Sequence, residues 1–268
     1  MKKNDQVLRL VESALLLAMA TVLSMFPLAS LPYGGSITAC SALPILLIAY
    51  RHGTAWGLFS AAAYALLQLL LGMNNLSYFT TAISVVVVIL LDYIVPFVCM
   101  GLGGVFRKGR PQGQALVMGA VLCGVLRYIC HVISGCTVWA GLSIPTQAAL
   151  LYSLAYNATY MVPETLVTVL GAWYLSRVLD VRGDRPIRAA TPAGQRPVVS
   201  LVAAGVLTAA GIADVVLVFL HLQNGDTGEF DITGIAQANW ALIGGITLAA
   251  VAAAVVLTLV GRSRKKAA

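Results

Sequence analysis

The chain has 268 residues, of which 59% are hydrophobic and 10% are charged. Globular proteins in water carry roughly 25% charged residues, so this composition and a mean hydropathy of +0.88 exclude an ordinary soluble domain. The formal net charge of +7 would by itself suggest a nucleic-acid ligand, but the positions of the charges argue against that ligand. Because the apolar runs are long and continuous, they predict membrane helices and not a transmembrane β-barrel.

Hydropathy and turn-forming residues predict eight membrane-spanning helices. The predicted spans are 8–28, 37–50, 54–72, 79–105, 115–140, 147–175, 198–222 and 236–260. The second span is short for a crossing, and Pro44 interrupts it. The fold class that we predict is all-α: a polytopic membrane helix bundle with a six-helix core and two further transmembrane helices.

The distribution of positive charge predicts the orientation of the chain. With the N-terminus in the cytoplasm, every Lys and Arg except Arg127 falls on the inner side, in agreement with the positive-inside rule. Omitting the second span would invert the later loops and place most of these charges outside. We therefore predict a multi-pass cell-membrane protein with both termini in the cytoplasm, a lipid bilayer as its surroundings and no nucleic-acid partner.

Composition divides the chain into three parts. Residues 1–175 form a six-span membrane unit with polar and aromatic residues inside its spans, which we interpret as substrate-binding. Residues 176–197 are charged and contain Pro and Gly, as expected of a cytoplasmic linker. Residues 198–268 form a two-span membrane unit, rich in Ala, Val, Leu and Gly, whose role the sequence does not indicate.

The sequence predicts no enzyme, no metal and no cofactor. Its five cysteines lie in apolar stretches without a Cys-x-x-Cys pair, so we interpret them as small buried side chains. The Gly-x-Gly-Gly run at 101–104 is interpreted as helix packing and not as a phosphate loop. Since the chain has no nucleotide-binding motif, active transport would need ATPase partners.

Ionisable side chains at membrane depth are costly and indicate function. Counting along the helices places Arg127 and Glu164 in one deep layer. We interpret these two residues as a structural ion pair that seals the bundle, and direct contact with a substrate is the alternative. Asp214 is a further ionisable residue, in the seventh span.

A second polar layer lies closer to the outside and contains Asp92, His131, Trp139, Tyr152 and Asn157. Taken singly, the aromatic residues fit a membrane-interface belt, and the His and Asn fit hydrogen bonds between helices. Together they supply an anion, hydrogen-bonding groups and flat faces. This combination suits a small cationic or aromatic heterocycle.

The ordered motifs resemble the thiamine-specific substrate-binding (S) component of energy-coupling-factor transporters. The resemblance extends over about residues 8–175. The motifs are Leu-Pro-Tyr-Gly-Gly-Ser-Ile-Thr at 31–38, Leu-Pro-Ile-Leu-Leu at 43–47, Arg51-His52-Gly53, Leu91-Asp92-Tyr93, His131 with Trp139 eight residues later, and Tyr152 with Asn157 five residues later.

The resemblance implies a thiamine-binding subunit that captures the vitamin outside the cell. Trp139 would stack on the ligand and His131 would line the ring, while Tyr152 and Asn157 would hydrogen-bond the aminopyrimidine. The loop at Tyr33 would close over the site as a lid. The substrate-binding residues implied are Asp92, Tyr93, His131, Trp139, Tyr152, Asn157 and Tyr33.

The resemblance also implies partners, namely a coupling membrane subunit and two ATPase subunits. Ala14 and Ala18 on the first helix would dock onto this assembly, because small side chains one turn apart allow another helix to approach. Ordinary packing within the chain is the alternative for these two alanines.

Three departures from the family pattern keep other functions open. Gly34 and Gly35 stand where some members of the family have a tryptophan, and Asp92 is shorter than the expected Glu. These differences leave a thiamine precursor or another heterocyclic vitamin as an alternative ligand. The additional C-terminal helices leave a stand-alone membrane carrier or scaffold as an alternative function.

Overall fold

The computed structural model describes residues 3–31, 34–142, 144–189, 197–222 and 232–263. The chain divides into two compact units, Met1–Trp173 and Tyr174–Ala268. Each of the eight predicted spans has a helix in the structure. The helical bundle is therefore as predicted, although several boundaries differ.

The helices of the first unit occur in the predicted order. They are α1 (Lys3–Met25), α2 (Leu43–His52), α3 (Thr54–Leu71), α4 (Ala82–Arg107), α5 (Gln112–Thr137) and α6 (Gln147–Val178), whose last turn continues into the second unit. A 3₁₀ helix, Met73–Tyr78, connects α3 to α4. The second unit contains α7 (Pro197–His221), a 3₁₀ helix (Ile232–Gln237) and α8 (Trp240–Ser263).

Six helices in the described part of the chain are long and apolar enough to cross a membrane, which makes this a multi-pass membrane protein. They are Asp5–Met25, Thr54–Leu71, Ala82–Arg107, Gln112–Thr137, Val198–His221 and Trp240–Leu259. α6 has the necessary length with 32 residues, but its polar residues, which include the buried Asn157 and Glu164, make it less apolar.

The predicted span 37–50 needs correction, since its helix covers only Leu43–His52. Ten residues extend about 15 Å, roughly half of the hydrocarbon core of a bilayer. Residues 37 and 38 belong to a strand and not to the helix. Pro44 lies in the first turn of α2, where a proline is tolerated because its missing N–H has no partner there. The proline therefore helps to start this helix and does not interrupt it.

Two short strands between α1 and α2 are an addition to the all-α prediction. β1 (Pro27–Ser30) pairs antiparallel with β2 (Ser36–Thr38), so that Ser30 lies opposite Ser36. The backbone N–H of Leu31 donates to the carbonyl oxygen of Gly35 over 2.7 Å. The hairpin fixes both ends of the loop at residues 31–35, because its last pair lies directly beside that loop. We name this segment the first outer loop, after the orientation predicted from the sequence.

The predicted linker contains a second hairpin, in which β3 (Leu179–Asp180) pairs antiparallel with β4 (Ile187–Arg188). The Arg182 side chain donates two hydrogen bonds to the Asp180 carboxylate. These bonds, together with one from the Arg182 backbone, lower the pKa of Asp180 to about 2. Residues 190–196 of the predicted linker lie outside the described residues.

α4 is not a uniform α-helix. It starts as an α-helix at Ala82–Val88, widens to a π-helix at Ile89–Ile94, and ends as a 3₁₀ helix at Cys99–Arg107. π turns add one residue to a helix and are frequent at functional sites. Asp92 lies inside this wide segment.

Glycines allow the helices to approach closely at the end of the bundle opposite the first outer loop. A Cβ atom on Gly104 would lie 2.1 Å from the carbonyl oxygen of Ala49, and one on Gly101 would lie 2.4 Å from the backbone nitrogen of Leu58. Only glycine fits these positions, since backbone atoms cannot move aside as side chains do. The prediction that residues 101–104 serve helix packing is confirmed.

The same end of the bundle carries positive charge. Arg51 pairs with Glu12 on α1, with 3.0 Å between Arg51 Nη2 and Glu12 Oε2. The guanidinium of Arg9 lies 3.9 Å from the ring centroid of Trp56, and the side chain of Arg107 lies beside Gly53. The start of α1, the α2–α3 junction and the end of α4 therefore form one basic end.

Candidate functional site

Asp92 is the centre of a polar cluster at the other end of the bundle. Its carboxylate accepts hydrogen bonds from Ser134 Oγ at 2.8 Å, from Trp139 Nε1 at 2.9 Å and from His131 Nδ1 at 3.0 Å. Ser134 and His131 lie one turn apart on α5, so both face α4. The side chain of Asp92 is only 15% exposed. Three donors therefore stabilise a carboxylate that is largely removed from solvent.

His131 has a defined orientation because of this contact. In the neutral tautomer that donates to the Asp92 carboxylate, the hydrogen of the imidazole lies on Nδ1. Nε2 is then an acceptor, and no hydrogen bond from the described residues reaches it. His131 can therefore accept a hydrogen bond from a ligand at Nε2.

Trp139 lies just beyond α5, which ends at Thr137 and not at the predicted residue 140. The backbone N–H of Trp139 donates to the carbonyl oxygen of Ser134, in a turn that continues to Gly141 with φ +89°. The indole packs edge-on against Phe79, with 4.7 Å between ring centroids, and lies 5.7 Å from the ring of Tyr78. The turn directs the indole N–H back to Asp92.

Asn157 joins α6 to α5. Its Nδ2 lies 2.9 Å from the carbonyl oxygen of Ser153 and 3.3 Å from that of His131, and its Oδ1 accepts from Tyr160 Oη at 2.6 Å. Gly135 makes this approach possible, because a Cβ there would lie 2.2 Å from Ser153 Oγ. The amide is 4% exposed. These hydrogen bonds run within α6 and from α6 to α5. An amide oxygen has two lone pairs, so Oδ1 can accept a second hydrogen bond from a ligand besides the one from Tyr160.

Three tyrosines on α6 form a row from the surface to this cluster. Tyr152, 36% exposed, is stacked on Tyr156 with 6.0 Å between centroids and 6° between planes. Tyr156 lies 5.8 Å from Tyr160, whose ring lies 6.3 Å from the imidazole of His131. Tyr152 is therefore connected to Asp92 and its donors through the other two tyrosines.

Tyr93 has different contacts from its neighbour Asp92. Its hydroxyl donates to the carbonyl oxygen of Gly72 at 3.0 Å and accepts from Asn75 at 3.1 Å. These bonds fix the segment that follows α3. Because Asn75 also lies against Gly34 of the first outer loop, Tyr93 supports the loop indirectly.

The first outer loop contacts two of these tyrosines, Tyr156 and Tyr160. Tyr33, predicted to act in the lid, lies outside the described residues. The neighbouring Gly35 is described: a Cβ atom there would lie 2.9 Å from the Tyr160 ring and 3.0 Å from Tyr156 Oη. The backbone of the loop therefore rests directly on the aromatic rings of α6.

We expect Gly35→Ala to weaken ligand binding, because the added methyl group must lift the loop or displace the Tyr160 ring. Overpacking of this kind costs about 1–3 kcal/mol, which corresponds to about a 5- to 160-fold increase in Kd. Isothermal titration calorimetry on the detergent-solubilised protein measures this change. Gly205→Ala, where the methyl group meets open space, is the matched control. Unchanged affinity in Gly35→Ala would show that the loop does not close on the ligand.

Arg127 and Glu164 lie together, as the sequence predicts, with 3.5 Å between Nη1 and Oε2. Glu164 also accepts a hydrogen bond from Thr38 at the end of β2, and the Arg127 guanidinium lies 5.0 Å from the ring of Phe97. A small cavity with room for about one water molecule adjoins the pair and Thr168. These contacts connect β2 to α5 and α6 next to the polar cluster.

Ala14 and Ala18 lie on an exposed face of α1. The opposite face of α1 is buried through Ser13 and Ala20, and Ser13 accepts a hydrogen bond from Trp56 Nε1 over 2.8 Å. The two alanines are therefore not used to pack the bundle in the described structure.

Ser134 and Ser153 both contribute hydrogen bonds to the site, and neither residue was predicted from the sequence. Their spacing could have identified them: Ser134 is three residues after His131, and Ser153 is four residues before Asn157, so each shares a helix face with a predicted site residue. Phe79 carries no such signal, since it precedes α4. In the described residues, no group of three or more His, Cys, Asp or Glu side chains is placed to hold a metal ion.

The fold and site define a multi-pass membrane protein with a buried carboxylate, an imidazole and aromatic rings gathered at one end of a helical bundle. The family model described as "Thiamine transporter protein" matches residues 10–181. The chain therefore belongs to the thiamine transporter family.

Individual relatives agree with this assignment. The chain is 34% identical over 182 residues to "Thiamine transporter ThiT" of Bacillus subtilis (strain 168), a match that covers 63% of this chain and 91% of the relative. A solved structure of ThiT from Listeria monocytogenes matches with a TM-score of 0.50 and 25% identity, covering 64% of this chain and 94% of that one. The family match ends at residue 181 and does not include α7 and α8.

Proposed function

We propose that this protein is the thiamine-binding S component of an energy-coupling-factor transporter. The observation that carries the proposal is the convergence of His131, Ser134 and Trp139 on the buried carboxylate of Asp92. Membership of the thiamine transporter family supports the choice of ligand.

The chemistry of the site matches the two rings of thiamine. The thiazolium ring carries a fixed positive charge, which Asp92 attracts and which the face of Trp139 favours by a cation–π interaction. The aminopyrimidine amino group donates, and His131 Nε2 accepts. Tyr152 and Asn157 complete the pyrimidine end, while Tyr33 and its loop close over the ligand. Tyr93 positions the 72–75 segment against that loop.

Tryptophan fluorescence tests the function directly. Since Trp139 is bonded to Asp92 and lies beside the proposed ligand, we expect thiamine to quench its emission and to raise the melting temperature of the purified protein. Trp139→Phe should lose the fluorescence change, whereas Trp56→Phe, at the basic end, should retain it. An emission and a melting temperature that do not respond to saturating thiamine would reject the proposal.

A thiamine precursor or another heterocyclic vitamin is the second candidate ligand. It is favoured by the two glycines of the first outer loop, since Gly34 and Gly35 offer no side chain to stack on a second ring. Competition against labelled thiamine distinguishes the ligands: hydroxymethylpyrimidine that displaces thiamine at equal concentration supports the precursor.

The proposal includes orientation and partners. The basic end with Arg9, Arg51 and Arg107 faces the cytoplasm by the positive-inside rule, so the Asp92 cluster opens to the outside and both termini are cytoplasmic. A coupling membrane subunit and two ATPase subunits on other chains supply the energy. The subunit itself binds thiamine and catalyses no reaction, and Arg127 and Glu164 are a structural pair beneath the ligand.

A further inference from the structure

The small cavity beside the Arg127–Glu164 pair lies where four helices meet. Most of its lining belongs to α5 and α6, and residues of α2 and α4 form the rest. Gly124 of α5 allows the close approach of α6, because a Cβ atom there would lie 2.4 Å from Thr165 Oγ1. The cavity has room for about one water molecule.

Two polar atoms of residues that line this cavity are buried without a hydrogen-bond partner among the residues that the structure describes. They are Arg127 Nε and Thr168 Oγ1. Arg127 is 8% exposed and Thr168 is 3% exposed, so bulk solvent supplies no partner either. Buried polar groups in proteins are bonded to other protein groups or to ordered water, because a missing partner is costly. Both atoms therefore require a partner inside the cavity.

The ion pair is also wider than a direct charged hydrogen bond. Arg127 Nη1 and Glu164 Oε2 are 3.5 Å apart, whereas a charged N–H donor and a carboxylate oxygen in direct contact are about 2.7–2.9 Å apart. Water commonly bridges polar groups that do not reach each other. Since Glu164 lines the same cavity, a water molecule there can accept from Arg127 Nε and donate to the Glu164 carboxylate.

The polar groups around the cavity favour water over an ion. Arg127 Nε can only donate a hydrogen bond, and the Thr168 hydroxyl can donate or accept one. A cation cannot accept the hydrogen of Arg127 Nε, and the guanidinium repels it. An anion would lie against the carboxylate of Glu164, which repels the anion. Water both accepts and donates, so it satisfies all three groups.

We propose that this cavity is a binding site for one structural water molecule, which bridges Arg127 Nε, Thr168 Oγ1 and the Glu164 carboxylate. The water joins α5 to α6 at the level of the ion pair. It extends a chain of hydrogen bonds that begins at Thr38 of β2, which donates to Glu164, and ends at Thr168. The site does not depend on which ligand binds at Asp92.

X-ray footprinting of the purified full-length protein tests the proposal. X-rays convert a bound water molecule to hydroxyl radicals, which oxidise the side chains directly beside it even where bulk solvent does not reach. Met100 and Cys123 line the cavity, are buried, and carry readily oxidised sulfur atoms. We expect mass spectrometry to show that both are oxidised several-fold faster than Met161. Met161 is the matched control, because it is 1% exposed like Met100 but is not among the residues that line the cavity.

Thr168→Val is the matched variant, because valine keeps the shape of threonine and removes the hydroxyl that binds the water. We expect it to slow the oxidation of Met100 and Cys123 and to leave that of Met161 unchanged. The wild-type comparison decides the proposal even where this variant does not fold. Oxidation of Met100 and Cys123 no faster than that of Met161 would overturn the proposal, as would an unchanged rate in folded Thr168→Val protein.

Discussion

Asp92→Asn is expected to reduce thiamine affinity on the order of 10- to 100-fold, as measured by calorimetry. The substitution keeps the size of the side chain but removes the negative charge that we propose attracts the cationic ring. It also places an N–H₂ group either at Oδ1, which accepts from His131, or at Oδ2, which accepts from Ser134 and Trp139. The hydrogens of that group oppose the donors already present. Hydrogen bonds to charged groups contribute about 1.5–3 kcal/mol, which sets this range.

Two controls separate charge from folding. Asp92→Glu retains the charge and should bind more tightly than Asp92→Asn, while Ser134→Ala removes one donor and leaves the carboxylate in place. The melting temperature of each variant without ligand shows whether the bundle itself is weakened. If Asp92→Asn binds thiamine like the wild type at an unchanged melting temperature, the carboxylate does not take part in recognition.

Ala14→Trp is expected to abolish thiamine uptake while leaving thiamine binding unchanged. Ala14 lies on the exposed face of α1. Since α1 packs against α2 and α3, and Asp92 and its donors lie on α4, on α5 and just beyond α5, an indole at Ala14 does not reach the binding site. It does prevent the close approach of a second helix, which needs small residues at Ala14 and Ala18. Uptake is measured in vesicles that contain the coupling membrane subunit and both ATPase subunits.

Leu15→Trp is the matched control, because Leu15 is 67% exposed on the adjacent sector of the same helix and should tolerate the indole. Normal uptake by Ala14→Trp would contradict the docking assignment. Uptake by wild-type vesicles without the ATPase subunits would instead identify a stand-alone carrier.

The bundle could be predicted because membrane helices are encoded locally, by continuous apolar runs and by the side on which Arg and Lys fall. The errors arose where tertiary contacts decide the backbone. Strand pairing between Ser30 and Ser36 shortened the second helix, and nothing in a single segment shows its future partner. The end of α5 at Thr137 depends on the turn that brings Trp139 back to Asp92.

Part of the site could also be predicted from local features of the sequence. Ionisable residues such as Asp92 and His131 stand out in an apolar sequence, and counting along helices gave their common depth. Counting does not give direction, however. Tyr93, next to Asp92, forms hydrogen bonds with Gly72 and Asn75, whereas Asn157 forms hydrogen bonds with Ser153 and Tyr160. Which of these side chains point into the site depends on the rotation of each helix about its axis, and hydropathy does not encode that rotation.

The π-helical turn at Ile89–Ile94 changes the direction in which Asp92 points from the helix axis. Each residue of an α-helix advances the side-chain direction by about 100°. One additional residue in the π turn therefore rotates the side chains of the second half of α4 about the helix axis, relative to those of the first half. The start of α4 presents exposed apolar side chains, and its end packs Gly101 and Gly104 against neighbouring helices. The rotation at the π turn allows both halves of α4 to face their own surroundings. An ungapped alignment of α4 with a relative that has a regular helix would pair Asp92 with a position that faces elsewhere.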